Sequence, residues 1–337
     1  MASVDLKKLA QLLNLSISTV SKALRDSFDI SKETKERVIA LANELNYQPN
    51  PHASSLRKLK SKTIAVIIPE IANNYFTLAI NGIESVAQEK GYHVLIYLSH
   101  EDATKEASFI RHLHNGRVDG LLISLSGTTT DYSYLEELQE KGLPIVFFDR
   151  VCEHLNTTCV TTDDYESAYK GTQHLITQGC KHIAHFTISQ SLSIGNKRMR
   201  GYLHALNDNN MKVDESMIIH CTNDDEKDLN QMQKLFDRKN RPDGIFAAVE
   251  RHAILGYEIC NRLKLSIPKD VKVISFSNLQ TADYLNPSLT TITQPAFDIG
   301  KEAASILFRA VEKKMFQLKN ENIVFRSELI QRNSTST

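Results

Sequence analysis

From Thr63 onward the sequence alternates short apolar runs with longer amphipathic stretches, and this alternation restricts the fold more than any other feature. "TIAVIIP" leads to a helical stretch through "FTLAINGIESVAQEKG"; then come "HVLIYLS", a helix, "GLLIS", a helix and "PIVFFD". From about Asp164 the pattern starts again, with "YESAYKGTQHLITQG", "HIAHFT", "GYLHALNDNN", "MIIH", "GIFAAV", a helix and "VKVISF". Apolar runs of this length, separated by helical periods, read as consecutive βαβ units on parallel sheets. Two doubly wound halves of similar size imply a cleft between them, with ligand groups on loops at the carboxyl ends of strands. A hinge-bending ligand sensor is the consequence.

The first sixty residues follow a different pattern. Asp5 can cap a helix whose apolar positions Leu6, Leu9, Ala10 and Leu13 recur at helical spacing, with Asn14 ending it. Ser16 then caps a second helix with Val20, Ala23 and Leu24 inward, and Ser31 a third with Val38, Leu41, Ala42 and Leu45 as its buried stripe. Three short helices with so tight a first connection are the arrangement of a helix-turn-helix DNA reader. The second helix, "ISTVSKAL", is rich in hydroxyl and β-branched side chains, which make a poor isolated helix. Lying in a DNA groove accounts for that choice, because short side chains let the backbone approach phosphates and base edges. On this reading Ser16, Thr19 and Ser21 bond phosphates. Ile17, Ser18 and Lys22 face the bases, Ile17 through a thymine methyl and Lys22 through guanine acceptors. A plain three-helix bundle for protein contacts is the competing reading.

Charge points the same way. Residues 1–62 hold eleven Lys and Arg against six Asp and Glu, a net +5, while the remaining 29 basic and 34 acidic residues leave −5 on the body. A basic head on an acidic body directs the polyanion partner to the head. Beyond the third helix, Pro49 and Pro51 lead into "PHASSLRKLK", a piece too short to be a stable isolated helix and expected to fold only against DNA or a symmetry mate. Within it Leu56 suits a wedge driven between base steps from the minor groove; docking of the linker on the next domain is the alternative use.

Other classes lose ground. The first residues show no charged-apolar-small leader, and no apolar run approaches the roughly 20 residues that span a bilayer, so a cytoplasmic protein is expected. Five scattered cysteines, Cys152, Cys159, Cys180, Cys221 and Cys260, with no C-x-x-C, argue for reduced thiols and against a disulfide framework or a metal site. No dinucleotide or phosphate-loop glycine motif, zinc-protease motif or nucleophile elbow is present. "SGTTTD" (126–131) lacks the lysine of a phosphate loop, and His174 and His252 have no partner pattern for a catalytic base. Binding rather than catalysis is expected, with no cofactor; the alternative is a helix-turn-helix fused to a sugar-processing enzyme. A sugar-binding transport component would need a leader and no headpiece.

The residues also carry a resemblance. "LKKLAQLLNLSISTVSKAL", "ISKETKERVIALANELNYQPNPHASSLR", "KTIAVIIPEIANNYF", "RVDGLLIS", "IPKDVKVISFSN" and "PSLTTITQPAFDIGKEAA" stand in the order and spacing seen in the lactose repressor (LacI) family. The resemblance runs from Asp5 to about Arg332. It implies an α/β protein with an all-α helix-turn-helix headpiece (1–48), a hinge helix and linker (49–62) and a core resembling periplasmic sugar-binding proteins (63–337). In that core 63–161 with 293–328 form one subdomain and 162–292 the other. Carried over by position, it places Ile17, Ser18 and Lys22 at the specificity positions, Tyr47 and Asn50 at the DNA backbone, and Ala53 and Leu56 as the minor-groove pair. Lys22 stands where the family more often has Arg, and Arg25 where it usually has Asn.

For the effector the resemblance implies Tyr75, Phe76, Asp149 and Arg198, an aromatic to stack and an Asp with an Arg to hydrogen-bond a polyol or flat polar metabolite. The family's "ND" is Val249-Glu250 here, the acid of its "GFDD" is Ser277 in "SFSN", and Asn223 falls where an aromatic is common, so Glu250 and Ser277 are the altered members of the pocket. A structural Asp149–Arg198 ion pair is the competing reading. One headpiece reads too few base pairs for useful specificity, so a homodimer on a pseudo-palindromic operator is expected. The polar, heptad-free tail "RSELIQRNSTST" argues against a tetramer. A repressor is the favoured sign of regulation.

Overall fold

Asp5, Ser16 and Ser31 each open a helix in the computed structural model, which describes residues 5–45, 47, 60–113, 116–189, 191–222, 224–313 and 318–336. Helix α1 (Leu6–Leu13) is capped by the Asp5 carboxylate, which accepts the Lys8 N–H, and it ends at Asn14 in the left-handed region, φ 53°. Asparagine tolerates that conformation better than most residues, so the chain turns in three residues. Helix α2 (Ile17–Ala23) and helix α3 (Lys32–Glu44) are capped by the hydroxyls of Ser16 and Ser31, accepting from the Thr19 and Thr34 amides. Leu9, Ala10, Val20, Ala23, Val38 and Ala42 form one small core among the three helices.

The chain divides into two units, Met1–Ser61 and Lys62–Thr337. The larger contains two six-stranded sheets. The first is ordered β11-β5-β4-β3-β1-β2, from β1 (Thr63–Ile68), β2 (His93–Leu98), β3 (Leu121–Ile123), β4 (Ile145–Phe148), β5 (Cys159–Thr162) and β11 (Asn322–Phe325), and every pairing in it is parallel. The second is ordered β12-β10-β9-β8-β6-β7, from β6 (Ile183–Thr187), β7 (Ile218–His220), β8 (Gly244–Ala247), β9 (Lys272–Phe276), β10 (Thr290–Thr293) and β12 (Glu328–Ile330), with only the β10–β12 pair antiparallel.

Both faces of each sheet are covered, which explains why the strands read as continuous apolar runs. On the first sheet, Ile64, Val66 and Ile68 of β1 pack with α4 (Asn74–Glu89) and α11 (Ala296–Glu312). Ala65 and Ile67 point to the other face, onto α5 (Ala103–Leu113) and α6 (Ser133–Glu140). The second sheet carries α9 (Asp225–Phe236) and α10 (Glu250–Arg262) on one face, and α7 (Asp164–Thr177) and α8 (Ser193–Asp208) on the other. Each fully buried Phe or Leu contributes roughly 1.5–3 kcal/mol of transfer free energy to this core. The chain crosses between the sheets after β5, after β10 and again between β11 and β12.

The last crossing takes the chain beyond 328, which the expected division gave to neither subdomain, onto the second sheet. The polar tail pairs with β10, and Ser334 and Thr335 are fully buried, Ser334 bonding the Thr290 amide (2.8 Å) and the Val273 carbonyl (2.6 Å). Asn50, Ala53 and Leu56, and the hinge helix that would carry two of them, lie outside the described residues, as does Asn223. Among the described residues no helix is long and apolar enough to cross a membrane.

Candidate functional site

In the smaller unit, α2 buries Val20 and Ala23 and turns Ser16, Ile17, Ser18 and Lys22 outward, with Thr19 and Ser21 half-buried. Ile17 is 46% exposed, a large apolar side chain left open to solvent on the outward face. The hydroxyls have local partners as well. Ser16 Oγ accepts the Thr19 amide at 3.0 Å and lies 2.8 Å from both Ser18 Oγ and Thr19 Oγ1. Ser21 Oγ accepts from Arg25, whose Nε also donates to the Ser21 carbonyl at 2.9 Å. A phosphate oxygen only accepts, so a hydroxyl meets it through its single O–H: Ser21, which accepts from Arg25, keeps that donor, and of Ser16, Ser18 and Thr19, whose two mutual contacts use two donors, one keeps it. Tyr47 packs half-buried against the helix core. The Lys22 ammonium contacts the Asp29 carboxylate at 2.5 Å, a pairing that the helical pattern gave no reason to expect.

In the larger unit, Tyr75, Phe76, Asp149, Arg198, Glu250 and Ser277 all line one cavity of about 30 Å³. Asn73, Arg150, Ile194, Val249, Phe276, Asn278 and Gln294 complete the wall. The contributions follow from topology: Asn73 and Tyr75 come after β1, Asp149 after β4, Glu250 after β8 and Ser277 after β9. All sit at carboxyl ends of parallel strands, where open α/β sheets bind ligands.

Asp149 adopts φ 61°, an uncommon conformation for a side-chain-bearing residue, and such outliers gather at functional sites. Burial pushes its carboxyl up to about 6, against the pull of Arg150 and Arg198. Arg198 is paired with Asp164 rather than Asp149: Nε and the second amino nitrogen lie 2.8 and 2.7 Å from Asp164 Oδ1. Its remaining nitrogen donates to the Ala248 carbonyl at 2.5 Å, and the guanidinium stacks 3.8 Å above the Phe276 ring. Burial raises the Asp164 carboxyl even beside that guanidinium. Asp149 instead receives a long contact from the Ser124 hydroxyl (3.4 Å), with Arg150 Nε 3.9 Å away.

Glu250 bridges the cleft. One carboxylate oxygen accepts the backbone N–H (3.2 Å) and side-chain amide (2.9 Å) of Asn74, and the other accepts the Ser277 hydroxyl at 3.0 Å. Ser191 Oγ to the Gly127 carbonyl (2.6 Å) and Lys197 to Glu153 (3.5 Å) also join the two subdomains. The cleft is therefore closed, with an interior far below the roughly 300 Å³ of a typical ligand pocket. Tyr75 Oη and Asn278 Oδ1 on its wall, and Asp164 Oδ2, are buried without a hydrogen-bond partner, as is Arg150 Nε, which has only the long approach to Asp149. Buried polar atoms left unpaired cost roughly 1–3 kcal/mol each, so a wall holding several is suited to a polar guest.

Asn74, Arg150 and Asp164 were not singled out by sequence reasoning. Arg150 adjoins Asp149, and Asp164 opens a helix, but neither position carries a mark of its use. In "SGTTTD" the Ser126 and Gly127 amides are held by the carboxylates of Glu106 (2.7 Å) and Glu101 (2.6 Å), so acidic groups occupy the donors a phosphate would need. His174 bonds Thr335, and His252 is buried with Nδ1 3.3 Å from the Phe186 carbonyl; neither lines the cavity. All five cysteines are free thiols, and among the described residues no group of His, Cys, Asp and Glu could hold a metal ion.

His185 makes one prediction. It is buried between the rings of Tyr202 and Phe246, and burial lowers it to about 3, as it lowers His252 to about 4. A histidine depressed in the fold stabilises fully above its unfolded value near 6.5 and loses that contribution as pH falls toward the folded value. Between pH 7 and 5, wild type should lose about 2 kcal/mol more stability than His185→Phe in urea titrations. Equal losses would contradict a neutral buried His185. The comparison is made against the variant because the raised carboxyls of Asp149 and Asp164 act in the opposite direction.

Two family models match the sequence: bacterial regulatory proteins of the lacI family over residues 5–50, and a periplasmic binding protein-like domain over residues 172–335. The HTH-type transcriptional regulator DegA of Bacillus subtilis (strain 168) is 30% identical over 329 residues, covering 97% of each chain. Among solved structures, a lac repressor dimer bound to operator and the anti-inducer ONPF superposes with a TM-score of 0.85 at 20% identity, over 99% of this chain and 100% of that one, a likeness of fold. A periplasmic binding protein/LacI transcriptional regulator from Alkaliphilus metalliredigens QYMF, complexed with D-xylulofuranose, has a TM-score of 0.71 at 25% identity, over 82% and 100%.

Proposed function

Because the chain belongs to the lacI family of bacterial regulatory proteins, helix-turn-helix regulators of transcription, we propose that it is a cytoplasmic, homodimeric repressor whose operator affinity is set by a small polar metabolite, a sugar or sugar derivative, in the interdomain cleft. The outward face of α2 carries this reading: Ile17, Ser18 and Lys22 form a compact, solvent-facing set of one apolar and two polar side chains on a helix otherwise locked to its neighbours. In the proposed division, 1–48 reads the major groove and 49–62 forms the hinge, with Ala53 and Leu56 in the minor groove and Asn50 and Tyr47 at the backbone. Residues 63–337 sense the metabolite. Two-fold pairing follows from the short reach of a single headpiece.

The sugar reading is supported by acceptor-rich carboxylates beside an aromatic wall, and by the D-xylulofuranose held in the Alkaliphilus regulator. The protein is not an enzyme on this reading; a helix-turn-helix fused to a sugar-processing enzyme would turn over a compound that the cleft binds. The decisive experiment is binding-site selection from random DNA, followed by thermal-shift screening of sugars, sugar acids, sugar phosphates and nucleobases, since a ligand of the native state raises its melting point. Lys22→Ala should weaken binding to the selected operator by about fivefold to a hundredfold and to random DNA far less. Equal loss on both would remove Lys22 from the base readers.

A further inference from the structure

The loop that follows α2 places an acid beside the lysine assigned to base reading. Lys22 Nζ and Asp29 Oδ2 are 2.5 Å apart, and both side chains remain partly open to solvent, 47% and 36%. The main chain fixes this meeting: the Ser27 amide donates to the Lys22 carbonyl (3.1 Å), the Ile30 amide to the Ser27 carbonyl (3.3 Å), and Ile30 packs on the three-helix core. The neighbouring charges go elsewhere. Arg25 folds back on Ser21, and Asp26 pairs with Lys35 of α3 at 2.7 Å. The hydrogen bonds from Lys22 and Ser27 hold the Asp29 carboxyl below the usual carboxylate range, so it is an anion at neutral pH.

A carboxylate here is costly for plain polyanion binding, because it offsets a cation on the face that would meet DNA. An exposed ion pair also adds little to folding stability. Its chemistry does fit one target. In the major groove a G·C pair shows two acceptors, guanine N7 and O6, and one donor, the cytosine amino group; A·T puts a donor where O6 would be and an acceptor where the cytosine amino group would be, and T·A puts a methyl group where N7 would be. An ammonium with three donors can keep one on Asp29 and direct the others at guanine, while a carboxylate oxygen accepts from cytosine.

We propose that Lys22 and Asp29 act as one reading unit for a G·C pair, Lys22 donating to guanine and Asp29 both orienting that ammonium and accepting from the cytosine amino group. This rests on α2 being the DNA-reading helix. Asp29 is thereby a specificity-determining residue: it weakens binding to DNA in general and enforces a choice of base at one position.

Binding-site selection with the full chain tests it, comparing wild type, Lys22→Ala, Asp29→Ala, the shape-conserving Asp29→Asn, and the double variant. Asp29→Ala should relax base preference at the same position that Lys22→Ala relaxes, by about fivefold to a hundredfold, while binding to random DNA is unchanged or tighter. The double variant should discriminate no worse at that position than the weaker single variant. A retained wild-type profile in Asp29→Ala, relaxation at a different position, or independent multiplying effects would overturn the shared unit while leaving the regulator intact. A wild-type protein that selects no sequence would overturn both.

Discussion

Arg198→Ala should destabilise the larger unit by about 3–5 kcal/mol at pH 7, the cost of removing one partner of a buried ion pair. Arg198 and Asp164 are 2% and 1% exposed, so solvent screens neither charge. Deleting the guanidinium leaves Asp164 without its two charged hydrogen bonds, uncovers the Ala248 carbonyl and empties the space above Phe276. The carboxyl, already raised by burial, would rise further and take up a proton in the fold. The sign follows: an acid raised in the fold stabilises the protonated native state below the unfolded value near 3.9, and that contribution is lost as pH climbs toward the folded value. The variant should therefore be closest to wild type near pH 4 and furthest from it at pH 7, with a melting point lower on the order of 10 °C at neutral pH. Because a whole pair can often be replaced at little cost, Asp164→Asn with Arg198→Met should recover most of the loss. Urea titration across pH 4–8 checks all three statements. A neutral single variant, or a double variant as damaged as the single, would show that the pair is not what holds α7 to α8. At temperatures where the variant stays folded, it should also lose its response to the effector while binding operator as wild type does.

The sequence offers Asp149 as the ion-pair mate of Arg198, whereas the structure pairs it with Asp164, and the difference shows what a sequence conceals. Asp5, Ser16 and Ser31 were legible as caps because a cap acts on an amide two or three residues away. The apolar strands were legible because burial on both sheet faces removes alternation. Tyr75, Phe76, Asp149, Arg198, Glu250 and Ser277 come together in one cavity because each ends a parallel strand or starts the helix after it, except Arg198, which reaches in from α8. Partnership is a different matter. Arg198 binds Asp164, 34 residues away, and Glu250 binds Asn74 across 176. Nothing periodic separates Asp164 from Asp149 as the mate; only the packing of α7 on α8 decides it. Likewise Ser334 and Thr335 look like a solvated tail, and become fully buried because the chain crosses to the second sheet a final time. Asp29 belongs with them: a loop acid looks like solvated charge until the turn sets it on Lys22.

Gly300→Ala should be the second most damaging change, at about 3 kcal/mol, although alanine is the better helix former by about 1 kcal/mol. Helix α11 lies against α4 with glycine facing backbone on both sides. A Cβ built on Gly300 lands on the Ala79 carbonyl, 2.8 Å from its carbon, and one built on Gly82 lands on the Phe297 carbonyl, 2.9 Å from the Lys301 amide nitrogen. Backbone cannot rotate away as a side chain can, so the methyl must separate the helices. Separation opens the core that Ala79, Ile83, Ile299 and Ala303 share, and shifts the start of α4, which carries Tyr75 and Phe76 into the cleft and Asn74 to Glu250. The variant should thus lose stability and bind the effector differently, two effects that cavity-free surface changes do not couple. Gly256→Ala within α10 supplies the control: there a Cβ meets only side-chain carbons of Ile245 and Phe186, the nearest at 3.3 Å, and no backbone. Thermal melts should place Gly256→Ala within about 1 kcal/mol of wild type and Gly300→Ala well below it. If the two variants melt together, the α4–α11 seam yields more readily than close backbone contact permits, and the position of α4 at the cleft is not set by these glycines.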